Sequence, residues 1–371
     1  MAIIIHFFQN TGNILLYYLL PFIIVLGIMI FFHELGHFLI AKCFDVKVLK
    51  FALGFGPKII GKQYGETEYS IRYFPLGGFV KMLGEDEEDD KADRLAPGDV
   101  ARSFSNKHPL KRMAIVAAGP FFNIVLAFFL YWGVFFVSGS YINSTEIGQV
   151  TQDSPASRAG LQKGDIIKTI QGKKIQDWLE IKEIVYDKAG IPLEMTVERG
   201  HELISVTVTP EESTQKMFGQ EVKVALIGVV SSGKFIKKEF GFFGAFKEAA
   251  IETEQWIVRI CGFVAKLFTG ASSIKMVGGP IMIGQMTGEM AKASLLSLIP
   301  FMAVISINLG ILNLFPIPIL DGGFILFILF ELLLGRPISI KAREFAQKVG
   351  LSLLILLMVV VFYYDILRLF H

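Results

Sequence analysis

Phe31-Phe32-His33-Glu34-Leu35-Gly36-His37-Phe38 decides how the rest of the chain is read, because no Asp, Glu, Lys or Arg occurs from Met1 to Phe32. An apolar run of that length is a membrane-crossing helix. On a helix His33 and His37 lie four residues apart on one face and can grip a single zinc ion, while Glu34 between them can take a proton from a water beside it. The chemistry implied is metal-assisted hydrolysis. The same five-residue pattern also arises by accident in soluble helices, where histidines pack or face water. The apolar setting favours the metal reading, since ionisable groups at bilayer depth are costly and persist where they pair, bind metal or face water.

Composition agrees with that setting. The 371 residues are 53% hydrophobic and 19% charged, with 34 Phe and a mean hydropathy of +0.53, which describes an integral membrane protein rather than a soluble domain. A net charge of +2 and the lack of a basic stripe with interleaved aromatics exclude a nucleic-acid partner. Cys43 and Cys261 stand far apart and build neither a disulfide framework nor a CxxC metal site. The N-terminal apolar stretch has no preceding Lys or Arg and no small-residue cleavage site, so a retained span is expected there.

Four stretches are long enough to cross a bilayer: about Leu15 to Ala41, Met113 to Val137, Leu295 to Phe315 and Val349 to Leu367. The loop between the first two is rich in Lys and Arg, from Lys42 to Arg112, which makes it cytoplasmic and puts the long segment between spans two and three on the opposite side. Arg336, Lys341, Arg343 and Lys348 then fall in a second cytoplasmic loop. The expected fold class is an α-helical polytopic membrane protein with a membrane-associated β-hairpin and an inserted α+β domain.

Gly65 to Met82 alternates Tyr69, Ile71 and Tyr73, then Phe79 and Val80, around Pro75-Leu76-Gly77-Gly78, a pattern that predicts a β-hairpin turning at those glycines. Such a hairpin could dip into the membrane and pair with an unwound substrate by strand addition, or be an ordinary surface hairpin. Glu85 to Asp90 reads as a solvated acidic loop. Tyr141 to about Glu212 changes to short β-rich runs with polar turns, a separate soluble domain. Gly241 to Thr269 fits an amphipathic helix on the membrane surface, with packing against the soluble domain as the alternative. The organisation predicted is therefore 1–138 with two spans and the hairpin, 141–212 as the soluble domain, 213–292 as linker and surface helix, and 293–371 with the last two spans.

A catalytic zinc needs three protein ligands and an open position, so the histidine pair is one ligand short. Asp321 is the candidate for the third. It follows Pro316 and Pro318, which break a charge-free span, and precedes Gly322-Gly323. Irregular backbone at membrane depth is tolerated only where it is buried in protein or lines a cavity. The other reading is an aspartate capping the next helix.

These motifs together resemble the site-2 protease family: HELGH in the first span, Ala118-Gly119-Pro120-Phe121-Phe122-Asn123 in the second, and Asn313 to Gly322 as NxxPxPxLDG in the third. Between them, Ile147-Gly148-Gln149-Val150, Ser154 to Leu161 and Lys163-Gly164-Asp165-Ile166-Ile167 resemble the PDZ domain of bacterial proteases. The nearest type is the bacterial regulator-of-sigma-E protease, and the resemblance covers essentially the whole chain. It implies that His33, His37 and Asp321 hold Zn2+ with Glu34 as general base. It implies that Asn308 and Asn313 bind or orient the substrate backbone, with the hairpin around Tyr69, Ile71, Gly77 and Gly78 as a membrane-inserted β-loop.

By the same resemblance, Ile147 to Val150 would line a groove for a peptide end, although the domain could equally act as a steric gate. The implied substrates are single-span membrane proteins, such as anti-sigma factors or signal-peptide remnants, cut within membrane lipids. The implied location is the bacterial inner membrane, with the PDZ domain on its periplasmic or extracytoplasmic side. The enterobacterial form has two tandem PDZ domains, whereas about seventy residues here suit one. A transporter would show inverted repeats and more spans, and a non-catalytic PDZ scaffold would leave HExxH without a role.

Overall fold

The computed structural model describes residues 15–85, 97–217, 220–270 and 273–369, so residues 86–90 of the acidic loop lie outside the described residues. The chain divides into two compact units, one holding the residues up to Val134 and from Phe246 onward, the other Phe135–Ala245.

In the first unit four helices are long and apolar enough to cross a membrane: Leu16–Cys43, Pro109–Ser138, Leu296–Asn313 and Lys341–Arg368. The first, α1 (Leu20–Cys43), opens with proline in its first turn, where the missing N–H costs nothing. It stops at Asp45, which takes a left-handed conformation (φ 53°) while the Val46 N–H returns to Ala41 O at 2.8 Å. Against it lie α2 (Pro109–Ser138) and the helix Leu295–Asn313, joined through Val25, Met29, Leu126, Leu298 and Met302. Lipid tails are as apolar as leucine, so such helices associate by close packing rather than by escape from water. Gly36 of α1 shows this: a Cβ there would collide with the Ala118 carbonyl of α2.

After α1 come two long, bent strands, β1 (Val48–Tyr64) and β2 (Thr67–Met82). The tight turn is Gly65-Glu66, not Pro75 to Gly78 as the alternation predicted. The inner stretch Lys50–Leu53 has partners on both sides. Along Glu68–Ile71 the partner numbers rise with it, and along Gly78–Lys81 they run opposite. The predicted turn is instead the bend that carries β2 across to the far side of β1, where Gly78–Met82 becomes an outer rung. Phe51, Val80 and Met82 pack there with Ala41, Ile115 and Val116, so the rung is clamped between the sheet and the two helices. Phe55, Ile59, Ile60, Tyr73 and Phe74 are exposed at the other end.

The turn is tied back to the end of α1. Arg102 donates to both oxygens of Glu66 at 2.7 and 2.8 Å, Lys42 of α1 also pairs with Glu66, and Arg102 reaches Asp45 at 2.9 Å. Arg102's two hydrogen bonds, opposed by burial and reinforced by Lys42, hold the Glu66 carboxyl down at about 2 from 4.5.

Near the chain's end the span Val349 to Leu367 is in fact part of a longer helix, Ile340–Leu369, whose Asp365 is 2% exposed. Its carboxylate accepts the backbone N–H groups of Gly279, Ile281 and Met282 at 3.0 to 3.1 Å, the orphan donors at the start of helix Pro280–Ala293. Arg368 completes the pair at 3.0 Å.

The second unit contains a four-stranded sheet in the order Lys173–Lys174, Ile166–Ile170, Leu193–Arg199 and Glu202–Val208. Ile167, Ile170, Met195, Val197 and Val208 on it pack with Trp178 and Ile181 of a short helix. The predicted boundary at residue 212 is too early. Ala225 and Ile227 belong to this core, Val229–Ser231 pairs with Ile147–Val150, and Phe235–Lys238 pairs with Ser140–Asn143, so residues 213–245 are domain rather than linker. The predicted amphipathic helix is present as Phe242–Phe268. Its Phe246 ring packs edge-on against Phe128 of α2 at 4.9 Å between centroids, so one face is packed on a span, while Val258 and Phe268 are exposed.

Two outcomes are expected. Because the folded-state value of Glu66 lies below its unfolded one, the tie stabilises fully above about pH 4.5 and is lost as pH falls from there toward 2. Acid unfolding of Glu66→Gln should therefore differ less from neutral-pH unfolding than the parent's does. Asp365→Ala should cost about 1–3 kcal/mol, read by thermal unfolding in detergent, since it leaves three backbone donors without their acceptor.

Candidate metal centre

His33 and His37 sit one turn apart in the second half of α1, and Asp321 begins the helix Asp321–Leu334. His33 Nε2 lies 3.3 Å from His37 Nε2, and Asp321 Oδ2 lies 3.2 Å from the first and 3.7 Å from the second. The three ligand atoms fall within 4.8 Å of one another, a spacing that a tetrahedral ion with ligand distances of about 2 Å requires. Residues 288 positions apart in sequence (321 − 33) thus supply one ligand set.

The surroundings fit a metal as well as the ligands do. His37 Nδ1 donates to the Ile115 carbonyl of α2 at 2.9 Å, which fixes the proton there and leaves the Nε2 lone pair free for a ligand role. On the other ring, Asn123 Nδ2 lies 3.4 Å from His33 Nδ1, while Asn123 Oδ1 is buried without a hydrogen-bond partner. The two ends of an amide exchange by a half-turn. That half-turn places the orphan oxygen where it accepts from His33 Nδ1–H, the tautomer a metal-binding Nε2 needs. Asn123 is itself held from behind, its backbone carbonyl accepting Ser306 Oγ at 2.7 Å. Gly119 completes the cradle: a Cβ there would strike His37 Nε2 and crowd His33. The Ala118 to Asn123 stretch is therefore the wall that orients both imidazoles.

Glu34 faces the sheet. A Cβ on Gly78 would come within 2.8 Å of Glu34 Cγ. All four side chains open into one cavity of about 360 Å3, lined on its far side by Gly78, Phe79 and Val80 of β2 and by Pro318 to Leu320.

Of the substrate-binding residues the resemblance implied, Gly78 lines this cavity. Gly77 forms the bend against Phe55, Tyr69 packs between Phe38 and Phe51, Ile71 is exposed, and Asn308 and Asn313 are half-buried on the third span, outside the cavity lining. In the other unit Ile147 is wholly buried in the core and Gly148 abuts the Ser231 backbone, leaving Gln149 exposed and Val150 half-buried. Sequence reasoning gave no separate role to Asn123 or Gly119. The signal available was a polar residue and a helix-weakening glycine inside an otherwise apolar span.

The sequence profile of peptidase family M50 matches residues 21–357. The chain belongs to peptidase family M50. It is 31% identical over 426 residues to the regulator of sigma-W protease RasP of Bacillus subtilis, covering 95% of this chain and 98% of that one. The zinc metalloprotease RasP of Geobacillus kaustophilus is likewise 31% identical over 422 residues, with 95% and 98% covered. A chain of Clostridium acetobutylicum is 37% identical over 344 residues, 93% and 96% covered. Among solved structures, the PDZ domain of the SdrC-like protein of Listeria monocytogenes aligns over 24% of this chain and 87% of that one, at 19% identity and a TM-score of 0.20, too weak a likeness to fix the fold of Phe135–Ala245. The M50 chain described here is a metalloendopeptidase of the site-2 type in a multi-pass membrane protein.

Asn123→Ala should weaken metal retention about 10- to 100-fold, measured by competition with a chelator on the purified protein, whereas Asn123→Asp, which keeps the acceptor, should retain the ion.

Proposed function

We propose that this M50 peptidase cleaves the membrane-spanning segments of single-span membrane proteins as a step of regulated intramembrane proteolysis, with anti-sigma factors and signal-peptide remnants as the substrate classes. The observation that carries the reading is the convergence of His33, His37 and Asp321 beside Glu34, all supplied by apolar segments. Zinc is the metal these residues hold: two imidazoles and one carboxylate make a three-ligand set of the kind that leaves a position open. When bound, it acidifies a water and polarises a carbonyl.

The protein's own groups do the rest. Glu34 accepts the proton of the attacking water and returns it to the leaving amide nitrogen as the C–N bond breaks. Gly78 lets the Glu34 side chain lie flush against β2. A helical substrate hides its carbonyls in its own hydrogen bonds, so it must unwind, and the freed backbone must then find partners. Gly78–Met82 has β1 on one side only, which suits it to receive an extended segment on the other by strand addition. Exposed Phe55, Ile59, Ile60, Tyr73 and Phe74 suit the opposite end of the sheet to lipid. By the positive-inside pattern the unit Phe135–Ala245 lies outside the cytoplasm, in the bacterial case on the outer side of the inner membrane, where a PDZ-like domain would bind peptide ends or limit which substrates reach the centre.

The test is cleavage of a purified single-span substrate by the full chain in detergent. Parent protein should cut, lose activity to a zinc chelator and regain it on adding zinc. Glu34→Gln should keep its zinc yet lose about 100- to 10,000-fold in rate; cleavage at the parent's rate by that variant refutes the assigned role.

A further inference from the structure

Arg343 reads in the sequence as one of several cytoplasmic charges that set topology. Its position is more specific. It lies in the first turns of helix Ile340–Leu369, and with Gln347 and Gly350 it repeats at i, i+4 and i+7, one face of that helix. The face is set against the segment leading to Asp321, because a Cβ on Gly350 would stand 3.1 Å from Pro318 Cδ. Arg343 and Gln347 consequently line the same cavity as His33, His37 and Glu34, whose lining also includes Gly78 to Val80 of β2.

Neither side chain is used up by the fold. The Arg343 guanidinium carbon sits 5.1 Å from the centre of the Phe324 ring, a stacking that orients the planar group without occupying its in-plane donors. No carboxylate pairs with it among the described residues, and no hydrogen bond holds Gln347 among them. Glu85, the other charged residue at the opening, is engaged by the Met82 backbone N–H at 3.1 Å and so belongs to the β2 side. A half-buried guanidinium and a carboxamide one turn apart, both turned into a reaction cavity with their donors free, are suited to a ligand that offers oxygen.

We propose that Arg343 and Gln347 form the second rail for the unwound substrate, opposite Gly78–Val80, and that Arg343 sets which side chains are accepted on the cytoplasmic flank of the cut. The proposal rests on the reading that the centre hydrolyses membrane-spanning peptides. Gln347 and Arg343 donate to backbone carbonyls that strand addition to β2 leaves unpaired. Arg343 in addition pairs with an acidic side chain at the flank and repels a basic one.

The experiment uses the full chain in detergent, loaded with zinc, and three single-span substrates identical but for Glu, Gln or Lys at each of the first positions cytoplasmic to the cut. At the position facing Arg343 the parent should show kcat/KM in the order Glu, Gln, Lys, spanning at least about tenfold. Arg343→Glu should invert the order and Arg343→Gln should flatten it, with zinc content and melting temperature unchanged in both. Arg343→Lys should keep the order with a smaller span, since it loses the bidentate geometry. Gln347→Ala should raise KM about three- to tenfold with kcat held, the signature of lost ground-state binding. An unchanged order in Arg343→Glu, or an equal fall for all three substrates, overturns the proposal. Failure of the underlying reading is separate: it is failure of the parent to cut any of the three in a chelator-sensitive way.

Discussion

Two imidazole nitrogens and a carboxylate oxygen from distant segments must stand 3.2 to 3.7 Å from one another, and the rest of the structure depends on meeting that demand. Apolar side chains cannot aim a histidine. The aiming is done by α2, which offers the Ile115 carbonyl to one ring and the Asn123 amide to the other. Both contacts need α1 and α2 closer than ordinary side chains allow, which is why Gly36 meets the Ala118 carbonyl and Gly119 meets the His37 ring. Small residues at these crossings serve helix association and metal geometry at once, so the two cannot be changed independently.

The bent sheet answers a different constraint. Peptide hydrolysis needs an extended backbone, and an extended backbone away from water needs hydrogen-bond partners. By folding back so that Lys50–Leu53 is paired on both sides, the sheet protects its interior and leaves Gly78–Met82 as the rung next to the metal centre. On that rung the Met82 N–H is held by the Glu85 carboxylate at 3.1 Å, and Gly78, which has no Cβ, lets the Glu34 side chain lie against it.

What the sequence showed and hid follows from the range of the interactions involved. His33, Glu34, His37 and Asp321 stood out because each is an ionisable group where the surrounding pattern is apolar, a local contrast. The four spans stood out for the same reason, although the fourth begins eight residues before its apolar stretch (349 − 341), because its first two turns carry charges. The turn of the hairpin was misplaced because Gly65 and Gly77 are both turn-forming residues, and the choice between them is made by Lys50–Leu53, outside the alternating window. The soluble domain was cut short at residue 212 because Glu211–Met217 carries many charges, while the hydrophobic residues that seal the core, Ala225 and Ile227, come later. Asn123 and Asp365 are polar residues flanked by apolar stretches of their helices. Their roles depend on what a distant segment presents to them, His33 in one case and the start of helix Pro280–Ala293 in the other.

The last helix gathers these threads. In its N-terminal half Gly350 seats it against Pro318, two residues before the loop delivers Leu320 and Asp321, and Arg343 and Gln347 reach the cavity from there. Toward its other end Asp365 is buried under three backbone N–H groups. The 22 residues from Arg343 to Asp365 (365 − 343) span about 33 Å of helix at 1.5 Å each, so one helix connects the Asp365 cap to a wall of the cavity. A buried carboxylate holding a helix start costs more to release than a surface ion pair, because three backbone N–H groups lose their acceptor together. The cap therefore anchors one end of the helix whose other end presents Arg343 and Gln347 to the cavity.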